Sequence, residues 1–143
     1  EVSWAGYEVE FEPATIGTNE TKALISVKKG EVCHFVKAQK LRLAGASTTS
    51  TMSLGDGGDV DRYIAVTDTE TGAVDDIVQP VVAYFPYCYT ADDTIDLDYI
   101  AGATPGSTKP KWRVTIAIKS SAQAASSPTR ALRRGAAISG RAR

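Results

Sequence analysis

"KPKWRVTIAIKS", residues 109–120, decides the fold class. Trp112, Val114, Ile116 and Ile118 fall on one side of an extended chain, and Lys111, Arg113, Thr115 and Lys119 on the other. A strict period of two marks a strand with one face buried and one face wet. The same alternation appears in "WAGYEVEFEP" (4–13), where Tyr7, Val9 and Phe11 oppose Glu8, Glu10 and Glu12. It returns in "TIDLDYIAG" (94–102), where Ile95, Leu97 and Tyr99 alternate with Asp96 and Asp98.

Working outward, "KALISVKKGEVCHFVKAQKLRLAG" holds two apolar runs parted by Lys28-Lys29-Gly30, a turn between strands. Leu41 and Leu43 continue the second run after a bulge or bend. "STTSTMSL" (47–54) and "VDRYIAV" (60–66) read as strands on either side of an Asp/Gly turn. In "IVQPVVAYFPYCY" (77–89), Pro80 and Pro86 cannot donate to a ladder, so this stretch is an edge strand or a broken one. The total is roughly eight short strands with no helix before residue 120. That pattern predicts an all-β chain, an antiparallel β-sandwich of jelly-roll-like form, spanning 1–119.

The chain of 143 residues suits one domain. Its 43% hydrophobic and 23% charged content can build a packed core. No apolar run approaches the ~20 residues of a membrane span, and the N-terminus lacks the pattern of a secretory signal. The net charge of −1 hides an asymmetry. Residues 1–119 carry eleven Lys and Arg against seventeen acids, whereas 120–143 carry five Arg and no acid. That last stretch, rich in Ala, Ser and Arg, has almost no large apolar residue and cannot bury enough surface to fold alone. It reads as an extended basic arm carrying Arg130, Arg133, Arg134, Arg141 and Arg143. No aromatic residue is interleaved with these, and the body is acidic, which argues against direct nucleic-acid binding. Arg forks carboxylates, so an acidic protein surface is the natural target.

The most site-like stretch is "GDGGDVD" (55–61), with Asp56, Asp59 and Asp61 as a weak cation candidate. Counted from Asp56, the third, fifth and twelfth positions are Gly58, Val60 and Thr67, so the EF-hand spacing fails. No GxxxxGK[ST] is present to cradle phosphate. A structural turn is the preferred reading, with Gly supplying positive φ and Asp side chains capping backbone amides. His34 is the only His and lies in an apolar run, "VCHFV". Asp92-Asp93 and Asp96/Asp98 could be a carboxylate pair, but they fit a turn and the outward column of a strand better. Cys33 and Cys88 sit in separate apolar runs and read as buried free thiols, with a cross-strand disulfide as the alternative. With one His and two separated Cys there is no zinc framework. The expectation is a non-enzyme with no cofactor. Most aromatics read as core; the "YFPYCY" cluster (84–89) leaves Tyr84, Tyr87 and Tyr89 as possible exposed contacts.

Three segments, "KKGEVCHFVKAQKLRLAG" (28–45), "STMSLGDGGDVDRYIAV" (50–66) and "YCYTADDTIDLDYIAG" (87–102) with "WRVTIAI" (112–118), resemble the small β-sandwich virion proteins of tailed bacteriophages. The resemblance covers roughly 24–119. It departs at Glu31, where Asp is usual, and the arm lies outside it. The resemblance implies a cement or decoration protein, trimeric, on the outer capsid surface. Such a protein bridges major capsid protein subunits, carries no catalytic residues and is made in the bacterial host cytoplasm. A carbohydrate-binding module and a head–tail or tail adaptor subunit are the alternatives.

Overall fold

Four pairs of residues give the architecture. Ser3 lies opposite Ser120, Glu20 opposite Tyr99, Val32 opposite Cys88 and Asp56 opposite Asp59. Each pair is nearly equidistant from residues 57–58. The chain is therefore one long antiparallel ribbon folded back at the Asp/Gly turn. The computed structural model describes residues 3–45, 49–104 and 106–120.

The outgoing limb is β1 (Ser3–Phe11), β2 (Glu20–Val27), β3 (Val32–Arg42) and β4 (Thr51–Asp56). The returning limb is β5 (Asp59–Asp68), β6 (Ile77–Val78), β7 (Tyr87–Cys88), β8 (Asp93–Ile100) and β9 (Lys111–Ser120). The described residues thus hold nine strands where eight were expected, because the Pro-containing stretch is broken in two. Ile77–Val78 and Tyr87–Cys88 both pair with β3, and a short 3₁₀ turn, Val82–Tyr84, lies between them. The Phe85–Pro86 peptide is cis.

The ribbon rolls up. β9 also lies beside β3, and β8 beside β4. Two sheets result: sheet A in the order β1-β9-β3-β6, with β7 also on β3, and sheet B in the order β2-β8-β4-β5. Successive strands of each limb fall in opposite sheets, except at the β4–β5 hairpin and the β6–β7 segment. This is the jelly-roll form of the antiparallel sandwich. The Lys28–Gly30 turn is consequently not a hairpin; it carries the chain from sheet B to sheet A, with Gly30 at φ 89°. Glu31 holds that turn, its carboxylate accepting the Lys28 N–H at 2.7 Å.

Alternation places the core. Phe11, Trp112, Val114, Ile116 and Ile118 of sheet A face Met52, Leu54, Ile64, Ile95, Leu97 and Tyr99 of sheet B, all buried. Such a set removes apolar surface from water at roughly 25 cal/mol per Å². Tyr7 shares the inward column of β1 yet is exposed, because the first half of this edge strand overhangs the core.

Candidate functional site

At the hairpin end, Asp56 continues the inward column of Met52 and Leu54, so a carboxylate enters the core and is 2% exposed. Its Oδ1 accepts the Gly58 N–H at 3.0 Å and the Asp59 N–H at 3.1 Å. Arg62 donates through Nε to Oδ2 at 2.7 Å and through Nη2 to Oδ1 at 3.2 Å. The Tyr89 hydroxyl donates to Oδ2 at 3.2 Å, and lies 2.6 Å from the Tyr63 hydroxyl. Burial drives both phenols far above their ordinary range, which keeps them neutral hydrogen-bonding groups. Asp56 is thus fully used inside the protein. The cation candidate formed by Asp56, Asp59 and Asp61 is corrected on this ground, and no group of three metal-ligating side chains forms among the described residues. Asp59 caps the Asp61 N–H at 3.3 Å.

The turn chemistry differs from the expectation in one respect. Gly30 and Gly72 take the left-handed backbone; Gly57 and Gly58 do not. Glycine is required here for space. A Cβ on Gly55 would lie 2.0 Å from the Asp59 carbonyl oxygen, where β5 folds over β4 at a register shift.

The aromatic cluster is also rearranged. Tyr84 is exposed, but Tyr87 is half-buried beneath the Arg62 guanidinium, 4.1 Å from its ring centroid. Tyr89 is 3% exposed, so it cannot serve as the surface contact expected of it. The two thiols part company as well: Cys33 is buried and Cys88 exposed, both free, so the pair of buried thiols is half corrected. Burial pushes the Cys33 thiol up to about 11.

The carboxylates of β8 and its approach are bound locally. Asp92 accepts the Lys29 N–H at 2.9 Å, which holds its carboxyl below the usual range, and pairs with Lys28 at 3.6 Å. Asp96 accepts from the Thr94 hydroxyl at 2.6 Å and Asp98 from Thr21 at 2.5 Å. The arm residues Arg130, Arg133, Arg134, Arg141 and Arg143 lie outside the described residues.

The outer face of sheet A carries the feature that sequence reasoning passed over. Its register sets Glu8 against Thr115, Glu10 against Arg113 and Lys37 against Thr115 from the other side. One half neutralises itself. Glu10 meets Lys111 at 3.2 Å and Arg113 at 3.1 Å, Glu8 meets Arg113 at 3.7 Å, and Glu12 meets Arg42. Arg113 and then Lys111 hold the Glu10 carboxyl below its ordinary value.

The other half does not. A bulge between Cys33 and Phe35 turns His34 and Phe35 to the same outer side. Trp4 is 59% exposed and Phe35 42% exposed. His34 lies against Trp4 with centroids 4.7 Å apart, and Lys119 Nζ stands 5.3 Å over the Trp4 ring. Gly6, Ala117 and Phe35 form one cross-strand row, so small residues make the floor beside the rings. Lys37 and Lys119 have no carboxylate partner among the described residues. A signal for Trp4 was present, since it shares the parity of Glu8 and Glu10 and so belongs to the wet face.

No protein-family model and no curated protein matches the sequence. Two solved structures are similar in fold. A chain of the cyanophage Pam1 capsid asymmetric unit matches with a TM-score of 0.59 at 17% identity, over 83% of this chain and 84% of that one. A chain of the acidic stable capsid structure of Helicobacter pylori bacteriophage KHP30 matches with a TM-score of 0.56 at 15% identity, over 83% of this chain and 93% of that one. The jelly roll described above is therefore a fold found in two phage capsid structures, shared along most of the chain.

Proposed function

We propose that this chain is a structural protein of a tailed-bacteriophage virion, a cement or decoration protein on the outside of the capsid. The observation that carries the reading is the fold shared over 83% of the chain with chains of two phage capsid structures. The sequence resemblance over roughly 24–119 points the same way. The chemistry is consistent with binding rather than catalysis. Asp56 is sealed by Arg62 and Tyr89, and the single His packs on an exposed Trp.

The mechanism is thermodynamic. A protein that binds only the assembled shell stabilises it by mass action, by about 2.7 kcal/mol at a free concentration one hundred times Kd. Bridging neighbouring major capsid protein subunits, as a homotrimer, adds avidity to individually weak contacts. The basic segment after Ser120 extends each footprint, its five Arg set against carboxylates of the shell.

The test uses shells stripped of this protein. Adding back the full chain is expected to restore occupancy and raise the temperature at which the shells open. Truncation after Ser120 keeps β9 whole and is expected to lower occupancy. Shells that neither bind the chain nor gain stability overturn the reading. A dozen or fewer copies per virion would instead assign a head–tail or tail position.

A further inference from the structure

We infer that the unneutralised half of the outer face of sheet A, built on Trp4, His34, Phe35, Lys37 and Lys119, is a docking surface for an acidic protein surface with an apolar projection; this rests on the proposed virion role, in which that surface belongs to the shell. Three observations carry it.

The first is the contrast within one sheet face. Glu8, Glu10 and Glu12 are all spent on Arg113, Lys111 and Arg42, so that half presents no net demand for a partner. In the adjoining half, Lys37 and Lys119 meet no carboxylate among the described residues, and two large rings stand in water. An exposed Trp and Phe flanked by cations form the chemistry of an interface centre, with aromatic anchors supplying burial and charge supplying register.

The second is shape. Nothing lies within 4 Å of a Cβ built on Gly6, and Ala117 lies beside it in the row that ends at Phe35. Small residues between Trp4 and Phe35 leave a shallow shelf, open to a side chain from outside.

The third is continuity with the basic segment. Lys119 pairs with Trp4 on one side and Val32 on the other, so β9 runs through this patch up to its last residue, Ser120. The 23 residues beyond Ser120 add five Arg and no acid. Extended, they reach about 75 Å. The unpaired cations of the shelf, Lys37 and Lys119, and the five Arg that follow in sequence thus carry the same charge sign. A partner of the same sign is excluded by repulsion.

The experiment measures binding of the full chain to stripped shells, with Trp4→Ala, Phe35→Ser and the charge reversal Lys37→Glu/Lys119→Glu. All four positions lie on the wet face, and near-ultraviolet circular dichroism and the thermal midpoint report that the fold is kept. Trp4→Ala and Phe35→Ser are expected to weaken binding by roughly tenfold or more. The charge reversal is expected to abolish binding, and wild-type binding to weaken steeply between about 50 and about 500 mM salt. If the wild type binds and all three variants bind equally well, this inference is overturned while the virion reading stands. If the wild type does not bind shells, both fall. Wild-type binding to single-stranded DNA, to a glycan array or to itself, lost in the same variants while shell binding persists, assigns the shelf to that occupant and likewise overturns the inference.

Discussion

Arg62 reaches back six residues to Asp56 and grips it with two nitrogens, at 2.7 and 3.2 Å, while its guanidinium covers the Tyr87 ring at 4.1 Å. One side chain therefore neutralises the only carboxylate in the inward column of β4 and closes the end of the sandwich over Tyr63 and Tyr89. A buried charge stripped of its partner costs about 3–5 kcal/mol. Arg62→Met is expected to lower unfolding free energy by about that amount in urea titration. Adding Asp56→Asn should recover part of the loss, because the orphaned charge is then gone. A double variant no more stable than Arg62→Met would mean that the ion pair is not what holds this end.

Gly55 and Gly6 separate two reasons for a glycine. At Gly55 an added Cβ meets the Asp59 carbonyl at 2.0 Å and the Val60 carbonyl carbon at 2.4 Å, both backbone atoms that cannot step aside. Gly55→Ala should force the β4–β5 bulge apart and cost about 3 kcal/mol or more. At Gly6 the same methyl meets open space. Gly6→Ala should stay within about 0.5 kcal/mol of the wild type. Chemical denaturation of the two variants side by side checks both values, and equal losses would refute the assignment.

Strict alternation made β1, β8 and β9 legible, and with them the class of fold. Trp112, Val114, Ile116 and Ile118 are all buried, as their spacing requires. Legibility failed wherever the period slips. The bulge at Cys33/Phe35 sends His34 and Phe35 outward together, and no local composition marks it. Asp56 sits in an inward column, which a carboxylate does not announce; its partner arrives from β5 across a register shift. Tyr89 looked like a surface ring because it belongs to a dense cluster, but its hydroxyl is satisfied only by long-range partners, Tyr63 and Asp56. Which sheet each strand joins follows from the ribbon's roll, a long-range property.

The two thiols give a direct check on the roll itself. Val32 lies opposite Cys88 and Cys33 opposite Tyr87, so the two cysteines are on neighbouring strands with opposite exposure. Cys33 is buried with its thiol pushed up to about 11, so thiolate is scarce near neutral pH. One equivalent of thiol is expected to react quickly with a water-soluble disulfide reagent at pH 8, and the second only after unfolding. Peptide mapping should find the fast label on Cys88. Two fast thiols would contradict the burial of Cys33.

Two carboxylates on opposite outer faces should move stability with pH in opposite directions. Asp96, in the outward column of sheet B, is raised by burial first and then by the neighbouring charges of Asp93, Asp56 and Asp98, against the opposing Thr94 hydrogen bond. Its native form holds a proton more tightly than the unfolded chain. The stability it contributes is therefore present below the unfolded value near ~3.9 and is lost as pH rises through the raised native value. Glu10 is held low by its hydrogen bond from Arg113, then by Lys111. Its contribution is present above the unfolded value near ~4.3 and is lost as pH falls through the lowered native value. Asp96→Asn keeps an acceptor for Thr94 and is expected to raise the thermal midpoint at pH 7 while changing little at pH 3. Glu10→Gln is expected to lower the midpoint slightly at pH 7, since its partners are solvent-exposed, and to converge on the wild type at acid pH. Thermal unfolding by circular dichroism across this range reads both, and a shift of the same sign for the two variants at pH 7 would show that the outer faces are not charged in the way their hydrogen bonds require.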